Sequence, residues 1–430
     1  MPLYRILCLD GGGAWALIQA KALIDIYGER AEGLAVLSEF DLVAANSGGS
    51  ITLGGLLENL RLSELLNYFK DDAKRRSIFK PTNLGRAPAN LILHKLTGVG
   101  AQYDAGAKLQ GLRVLMPNAG ARRMSELPSY VTGTPMQSGR NCARSPQFLI
   151  CGFDYDRLRE TFFRSHTATL ASSRAPSLDP TLAEAIHAST NAPVNYFDAP
   201  AELVGHRYWD GAIGGYNNPV VAALVEAMAD GTPVEQIRVL SIGTGSVFLP
   251  LADASAGASP VLTQAREAST ILQDLKLLAT AIVDDPPDAA TFVAYVMLGQ
   301  RLPKEKDDMP VSGGAIVRMN PLVQPVRASA TDPWRVPAGL SEAQFDRLRR
   351  LDMDAVAAAD VELIELLCDC WLHPPVTSET DSFAVRNQPI RANSTTLQCE
   401  IGHWTYAEAK AAWLGFRPTP AELSALAPTT

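Results

Sequence analysis

The segment Phe40–Ser50, FDLVAANSGGS, joins a short apolar run to a serine that two glycines follow. Its apolar part, Phe40–Ala45, has the composition of a strand buried on both faces of an α/β sheet. Ile51–Leu60 then resumes the apolar spacing that is typical of a helix. A strand, a sharp turn with serine at its apex and a helix together make a nucleophile elbow. The segment therefore predicts a buried strand that presents Ser47 at a strand–helix turn.

The elbow departs slightly from the usual G-x-S-x-G pattern, because Ala45 stands where the first glycine is expected. The change adds one methyl group and leaves Gly48 and Gly49 after the serine. Small neighbours are needed because the turn requires backbone angles that bulky residues resist. A serine between small residues is still more often a tight turn than a nucleophile, so both interpretations stay open for this segment alone.

A second glycine-containing turn lies near the start of the chain. Asp10-Gly11-Gly12-Gly13 follows the apolar run Tyr4–Leu9 and precedes a helical spacing of apolar residues over Ala14–Tyr27. Glycines between a strand and a helix present N–H groups at the helix N-terminus, where they can bind an anion or an oxyanion. A nucleotide phosphate is poorly supported, since no Lys-Ser/Thr pair ends the run. A turn without chemistry is the remaining alternative.

Further strand–turn–helix units follow along the chain. They include the apolar strands Gln147–Phe153 and Ile237–Ile242, a helix with Asp179 as its expected N-cap, and the helix Val220–Ala229 after Asn218-Pro219. Recurrence of such units predicts a mostly parallel sheet with helices on both faces. Ligands of such folds bind at the carboxyl ends of the strands.

From residue 251 onward the chain becomes mainly helical. Helical periodicity covers Ser259–Val283, Asp288–Leu298 and Ser341–Leu372, and Val311–Met319 is a candidate edge strand. Residues 80–145 are rich in proline and glycine, which predicts loops over the edge and mouth of the sheet.

The composition is that of an ordinary soluble globular protein. The 430 residues are 47% hydrophobic, and the net charge of −8 argues against a general nucleic-acid binder. The basic segment Lys70–Lys80 is interpreted as a solvated helix face rather than a site for anionic headgroups. The cysteines and histidines show neither a disulfide framework nor metal-ligand spacing. No signal peptide or membrane-spanning run is visible, so we expect a cytoplasmic protein without a metal or other cofactor.

Five separated segments, taken in order, resemble the patatin-like phospholipase family. They are Asp10–Gly13 (DGGG), the Ser47 elbow, His187–Phe197 (HASTNAPVNYF), Tyr208–Pro219 (YWDGAIGGYNNP) and Leu240–Gly245 (LSIGTG). The resemblance covers residues 3–250 well and residues 251–430 only loosely. It implies a patatin-like three-layer α/β sandwich with a mostly parallel central sheet and a catalytic core over 3–250. The mostly helical region 251–430 would pack on that core, where it could gate the site.

The resemblance also implies a Ser–Asp dyad, with Ser47 as the nucleophile and Asp210, in an Asp-Gly-Ala turn, as its base. The oxyanion hole would be formed by N–H groups of Gly11, Gly12, Gly13 and Gly48. These residue types suit the chemistry, since serine needs an adjacent base and a tetrahedral intermediate needs donors aimed at its oxygen. The residues leave a triad open as the alternative, with His187 or His206 as its third member.

One departure from the family pattern bears on the substrate. The family's glycine loop usually continues with a basic residue, whereas this chain continues with Ala14-Trp15. We expect the large apolar side chain of Trp15 to contact the substrate and to alter substrate choice.

The activity that the resemblance implies is lipid acyl hydrolysis by a phospholipase A, a lysophospholipase or a broader esterase. The substrate would be a lipid or lie at a membrane surface, and peripheral association with membranes is compatible with it. One alternative is a thioesterase or acyltransferase that uses the same Ser47 acyl-enzyme. A non-catalytic lipid-binding regulatory protein on the same scaffold is another.

Overall fold

The computed structural model describes most of the chain. The described residues are 2–81, 102–136, 142, 144–166, 178–193, 196–250, 259–264, 286–301, 314–329, 331–375, 383–391, 400–419 and 422. No helix within these ranges is both long enough and apolar enough to cross a membrane.

Most of the strands belong to one central sheet. The strands are β1 (Tyr4–Leu9), β2 (Leu42–Ala45), β3 (Gln147–Asp154), β4 (Arg159–Arg164), β5 (Ala201–Leu203), β6 (His206–Asp210), β7 (Ile237–Ile242), β8 (Ser246–Val247), β9 (Ile316–Met319), β10 (Leu322–Val323), β11 (Ile390–Arg391) and β12 (Glu400–Ile401). The main sheet connects β5-β6-β3-β2-β1-β7-β9, with β4 beside β3. The run from β3 through β2, β1 and β7 to β9 is parallel, whereas β4 and β6 are antiparallel to β3. The mostly parallel sheet is confirmed.

Helices cover both faces of this sheet. They are α1 (Leu17–Tyr27), α2 (Gly33–Leu37), α3 (Ser47–Leu57), α4 (Leu62–Lys70), α5 (Asp72–Ile78), α6 (Ala105–Leu115), α7 (Leu127–Gly133), α8 (Leu182–Ser189), α9 (Val220–Ala229), α10 (Pro286–Met297), α11 (Glu342–Leu348), α12 (Ala358–Leu372) and α13 (Tyr406–Leu414). Short 3₁₀ turns at Gly13–Ala16 and Gly211–Gly214 follow β1 and β6.

The core is divided in two by the sheet. Leu7 and Leu9 of β1 belong to one buried apolar cluster, and Ile6 and Cys8 belong to another. Neighbouring residues of a strand point to opposite faces, so these two clusters are the interiors on either side of the sheet. The three-layer α/β fold is therefore confirmed.

Two local predictions are wrong. Ser341–Leu372 is not one helix, because it is interrupted between α11 and α12. In the interruption, Met353 accepts a hydrogen bond from the N–H of Ala14, so contact with the core replaces helix continuation. The N-cap of α8 is Thr181 rather than Asp179, since the Thr181 N–H bonds the carboxylate of Glu184 at 2.9 Å in a capping box.

Other predictions are partly met or lie outside the described residues. The region 80–145 holds helices α6 and α7 as well as loops. Most of the expected helix Ser259–Val283 falls on residues 265–285, which are not described. In the basic segment Lys70–Lys80, Lys70 pairs with Glu365 and Arg76 with Asp72.

The register of β3 positions the site. β2 pairs with the first half of β3 and ends with Ala45 opposite Ile150, whereas β6 pairs with the second half and ends with Asp210 opposite Gly152. β4 pairs with β3 over Leu149–Asp154, so β2 and β6 must share the other edge. The two strands thus meet with their carboxyl ends facing each other, two residues apart along β3.

Candidate active site

Ser47 occupies a strained turn between β2 and α3. Asn46 has extended backbone angles, and Ser47, the first residue of the helix, has a φ of +45°. A positive φ is uncommon for a residue other than glycine and is the backbone feature of a nucleophile elbow. Ser47 therefore stands at the N-terminus of α3, where the helix dipole is positive.

The turn has no room for larger neighbours. A methyl group on Gly48 would lie 2.6 Å from the carbonyl oxygen of Gly13, and one on Gly49 would lie 2.3 Å from that of Leu9. The two glycines let the elbow pack directly against the backbone of the first glycine loop. This close approach explains the small residues that the sequence places beside the serine.

Asp210 faces the serine at the end of β6. The Ser47 side chain lies close enough to the Asp210 carboxylate to lower the pKa of Asp210 by hydrogen bonding. One carboxylate oxygen also accepts hydrogen bonds from the Ala212 N–H at 2.9 Å and from the Asn46 amide at 3.0 Å. The structure therefore brings together Ser47 and Asp210, which are 163 residues apart in the sequence.

The pKa of Asp210 is set by opposing effects. Burial raises the pKa, and it exceeds the lowering by Ser47, Ala212 and Asn46 and by the charge of Lys108. The net result is a pKa above that of an ordinary aspartate. A raised pKa makes the carboxylate a stronger proton acceptor.

The two candidate histidines lie elsewhere. Among the described residues, no histidine hydrogen-bonds Asp210. His187 is buried on α8, and burial followed by the charges of Lys108 and Arg113 holds its pKa well below the usual value. His206 begins β6, and its Nδ1 is 3.9 Å from a carboxylate oxygen of Asp154. The dyad and the triad both stay predictions, and the described partners of the Asp210 carboxylate are Ser47, Asn46 and Ala212.

Of the four expected oxyanion donors, two in the glycine loop and one in the elbow are not engaged with described atoms. The N–H of Gly11 donates to the carbonyl oxygen of Asn217 at 2.8 Å, so it is already engaged. The N–H groups of Gly12 and Gly13, and that of Gly48 in the first turn of α3, donate to no described atom. An oxyanion beside Ser47 could therefore use these three donors, whereas Gly11 would first have to break its present bond.

The loop is held from both sides. The Thr244 hydroxyl donates to the carbonyl of Gly11 at 2.6 Å, and a methyl group on Gly12 would lie 2.1 Å from that hydroxyl oxygen. Asp10, which precedes the glycines, is buried and pairs with Arg318 of β9 at 2.6 Å. Burial raises the pKa of Asp10 to about 6, and Arg318 opposes the shift. No motif in the sequence pointed to Arg318, which lies far from the glycine loop along the chain.

The space next to Ser47 is a narrow apolar cleft of about 20 Å³. This volume holds roughly one water molecule. Side chains lining it include Ile51, Ile78, Phe79, Tyr196, Phe197 and Met353. In this conformation the cleft is too small for an acyl chain.

The segment 351–356, between α11 and α12, contributes Met353 to the wall of the cleft. The Met353 carbonyl accepts from the Ala14 N–H at 2.9 Å. The Tyr103 hydroxyl donates to the Asp354 carboxylate at 2.6 Å, and the Tyr196 hydroxyl donates to the Asp352 carboxylate. Nothing in the sequence singled out this segment, because its periodicity is that of an unbroken helix.

Trp15 contacts this segment. Its indole N–H donates to the Asp352 carbonyl at 3.1 Å, and the residue is buried. Trp15 is not among the residues that line the cleft. Its expected effect on substrate choice stays a prediction.

One group of described residues could hold a metal ion, and it is separate from Ser47. Ligand atoms of Asp154, Asp156 and His206 lie within 4.8 Å of one another. Asp156, however, already forms two hydrogen bonds with the guanidinium of Arg207.

An α/β sandwich in which a strand–serine–helix turn faces a buried acid is typical of serine hydrolases. A family model described as patatin-like phospholipase matches residues 7–224, about half of the chain. The chain belongs to the patatin-like phospholipase family. Membership supports lipid ester hydrolysis as its general activity.

Comparison with other proteins adds two distant likenesses. No curated protein matches the chain. VipD from Legionella pneumophila is similar at 10% identity and a TM-score of 0.32, over 86% of this chain and 67% of that one. Human GIVD cytosolic phospholipase A2 in complex with methyl gamma-linolenyl fluorophosphonate and terbium chloride is similar at 13% identity and a TM-score of 0.34, over 85% and 57%.

Proposed function

We propose that the chain is a lipid acyl hydrolase that cleaves carboxylic esters through a Ser47 acyl-enzyme, with Asp210 as the base. The observation that carries the proposal is the serine at a helix N-terminus facing a buried carboxylate. Family membership supports a lipid ester as the substrate. A phospholipase A, a lysophospholipase and a broader esterase all fit this description.

In the first half-reaction, Asp210 accepts the hydroxyl proton while the oxygen of Ser47 attacks the ester carbonyl. The carbonyl oxygen becomes an oxyanion, to which the N–H groups of Gly12, Gly13 and Gly48 would donate. The intermediate then collapses and expels the alcohol oxygen. That oxygen takes the proton from Asp210, and the acyl group stays on Ser47.

In the second half-reaction, Asp210 removes a proton from water as the water oxygen attacks the acyl group. A second oxyanion forms in the same place and uses the same donors. Collapse releases the fatty acid, and the Ser47 oxygen regains its proton from Asp210. One ester and one water give one alcohol and one acid, and both residues return to their starting state.

Access to Ser47 would be gated by the segment 351–356. The cleft of about 20 Å³ has Met353 in its wall, so the acyl chain needs this segment to move. The segment is held by hydrogen bonds from Ala14, Trp15, Tyr103, Tyr196 and Arg75, and its Ala355 is buried in the apolar core. The hydrogen bonds can be exchanged for water at modest cost, so the residues around Met353 can move more readily than the buried Ala355.

Contact with a lipid surface would involve two hairpin tips. Leu158, between β3 and β4, is 64% exposed, and Val204, between β5 and β6, is 80% exposed. Both have positive φ, +53° and +48°, which is strained for such side chains. The turns lie beyond Asp154 of β3 and His206 of β6, whereas Asp210 lies at the other end of β6, opposite Gly152 of β3.

The lipid contact is tested by changing Leu158 and Val204 together to serine. We expect weaker co-sedimentation with phosphatidylcholine vesicles and unchanged turnover of a water-soluble short ester. Unchanged co-sedimentation would show that Leu158 and Val204 do not contribute to lipid binding.

Active-site labelling tests the catalytic proposal. A fluorophosphonate should label the wild-type protein at Ser47, and Ser47→Ala should lose both labelling and hydrolysis of phospholipid and p-nitrophenyl esters while remaining folded. Thr52→Val is the matched control, because Thr52 lies buried on the same helix and its hydroxyl has no partner among the described residues. This control should keep both activities.

The outcomes separate the alternatives. A folded wild-type protein that resists labelling would overturn the proposal and favour a non-catalytic lipid-binding protein. Labelling of Ser47 without release of fatty acid from lipid esters would favour thioester hydrolysis or acyl transfer.

A further inference from the structure

Lys108 is a fully buried lysine on α6. Its Nζ donates to the side-chain oxygen of Asn191 at 2.8 Å and to the carbonyl of His187 at 3.1 Å. It also lies 3.8 Å from the centroid of the Phe197 ring. Two oxygens and one aromatic face match the three N–H bonds of an ammonium group. The surroundings thus offer one partner to each N–H bond of an ammonium group.

A buried ammonium is costly unless something compensates for its lost hydration. Among the described residues, no carboxylate lies within ion-pair distance of Lys108. Burial lowers the pKa of Lys108 well below the usual value, and the charge of Asp210 acts in the opposite direction. Asp210 is therefore the anion that this cation faces.

Asn191 connects the two residues. Its side-chain oxygen accepts from Lys108, and its backbone carbonyl accepts from the N–H of Asp210 at 3.1 Å. Its side-chain amide donates to the carbonyl of Ala199 at 2.6 Å, which fixes the turn before β5. Lys108 is thus linked through Asn191 to the backbone at the end of β6. It also contacts Phe197, which lines the cleft.

We propose that Lys108 is a positioning residue that, through Asn191, fixes the backbone of Asp210 and supplies the positive charge facing its carboxylate. This inference rests on the proposed function, because it assigns Lys108 a role in keeping the base ionised. The ammonium makes the carboxylate form of Asp210 more favourable, so the base stays active to lower pH.

Other titratable groups near this pair come from neighbouring elements. Cys151 of β3 faces Asp210, and burial raises the pKa of its thiol far above the working range. His187 of α8 faces Lys108 and is kept neutral, because burial holds its pKa well below the usual value. Asp210 is consequently the group near Lys108 that sets the acid limb of activity.

The test is the pH profile of fluorophosphonate labelling at Ser47 in wild type and Lys108→Met. Loss of the cation should raise the pKa of Asp210, so the midpoint of the acid limb should move upward by about 0.5 to 1 pH unit, less than a direct ion pair would give. Arg113→Met is the matched control, since it removes the same charge from an exposed position on the same helix. Its midpoint should stay unchanged.

A purely structural role for Lys108 would lower the rate at every pH and leave the midpoint in place, and that result would overturn the proposal. If Lys108→Met does not fold, Asn191→Asp provides a substitution of nearly equal shape. The new carboxylate would neutralise the ammonium, so the acid limb should again move upward, and an unmoved limb would overturn the proposal.

A direct reading of Asp210 separates this inference from the proposed function. The carboxyl ¹³C resonance of Asp210, assigned by its loss in Asp210→Asn, reports its titration without catalysis. A higher pKa in Lys108→Met supports the role of Lys108 even if the wild type is not labelled. An equal pKa in the two proteins refutes that role even if labelling succeeds.

Discussion

The glycine loop and elbow differ from the C-terminal region in how their residues reach the site. Asn46, Ser47 and Gly48 are neighbours in sequence, and a single turn places all three. The C-terminal region acts through separate contacts: Arg318 pairs with Asp10, and Met353 bonds Ala14. The candidate catalytic groups therefore belong to local motifs, whereas the contacts around them come from distant parts of the chain.

Among the variants that test this comparison, Asp210→Asn should lower turnover most. The change keeps the shape of the side chain but removes the base, so turnover of a p-nitrophenyl ester should fall by roughly a thousandfold or more. The melting temperature should change little. If His187→Ala or His206→Ala caused the larger loss of turnover, the site would be a triad with that histidine as its third member.

Gly12→Ala should come next and tests whether the first motif supplies oxyanion donors. The new methyl group would meet the Thr244 hydroxyl at 2.1 Å and push the loop from its place. Turnover should fall by about a hundredfold to a thousandfold with little change in KM. Gly231→Ala is the control, because Gly231 also has a positive φ but has no atom within 4 Å of the added group. A change in KM alone would place the loop in substrate binding.

Loss of the two tyrosine hydroxyls tests the C-terminal side of the comparison. The double variant Tyr103→Phe, Tyr196→Phe removes the bonds to Asp354 and Asp352 and should loosen the segment 351–356. Hydrolysis of a long-chain lysophospholipid should rise by about three- to tenfold, as expected for one or two hydrogen bonds. A short soluble ester should be turned over at nearly the wild-type rate.

Tyr68→Phe is the control for this pair, since the Tyr68 hydroxyl bonds the carbonyl of Leu115 rather than the segment. A fall in activity on both substrates would mean that the C-terminal region supports the catalytic groups and does not gate them.

Trp15→Ala should change activity least. Trp15 follows the glycine loop and bonds Asp352 of the C-terminal region, so the variant tests the contact between the two regions. Activity on a short ester should stay within about tenfold of wild type, the scale of a few lost apolar contacts, while the preferred chain length changes. Trp15→Phe keeps an aromatic ring but removes the indole N–H that donates to the Asp352 carbonyl. A change of chain length in Trp15→Phe as well would assign the effect to the segment. If Trp15→Ala and Gly12→Ala both lost all activity, the loop would matter only as folded structure. The loss in Gly12→Ala would then not support the oxyanion hole.

Much of the fold followed from local patterns. The bounds expected for Tyr4–Leu9, Ile237–Ile242 and Val220–Ala229 are those observed, because buried strands and capped helices leave signals within a few residues. The interruption of Ser341–Leu372 could not be foreseen. Its periodicity favours a helix, whereas residues 352–354 make tertiary hydrogen bonds to Ala14, Trp15 and Tyr103 that the periodicity does not report.

The identity of the chemical groups, and the strand that each one follows, could be read from the sequence alone. Their arrangement around one site depends on the folded chain. The register of β3 sets the ends of β2 and β6 two residues apart, which no local pattern specifies, and this brings Asp210 to Ser47. Folding also engaged the Gly11 N–H and buried Lys108 behind the base. Such contacts depend on the distance between groups far apart in the chain, and a sequence pattern reports only on near neighbours.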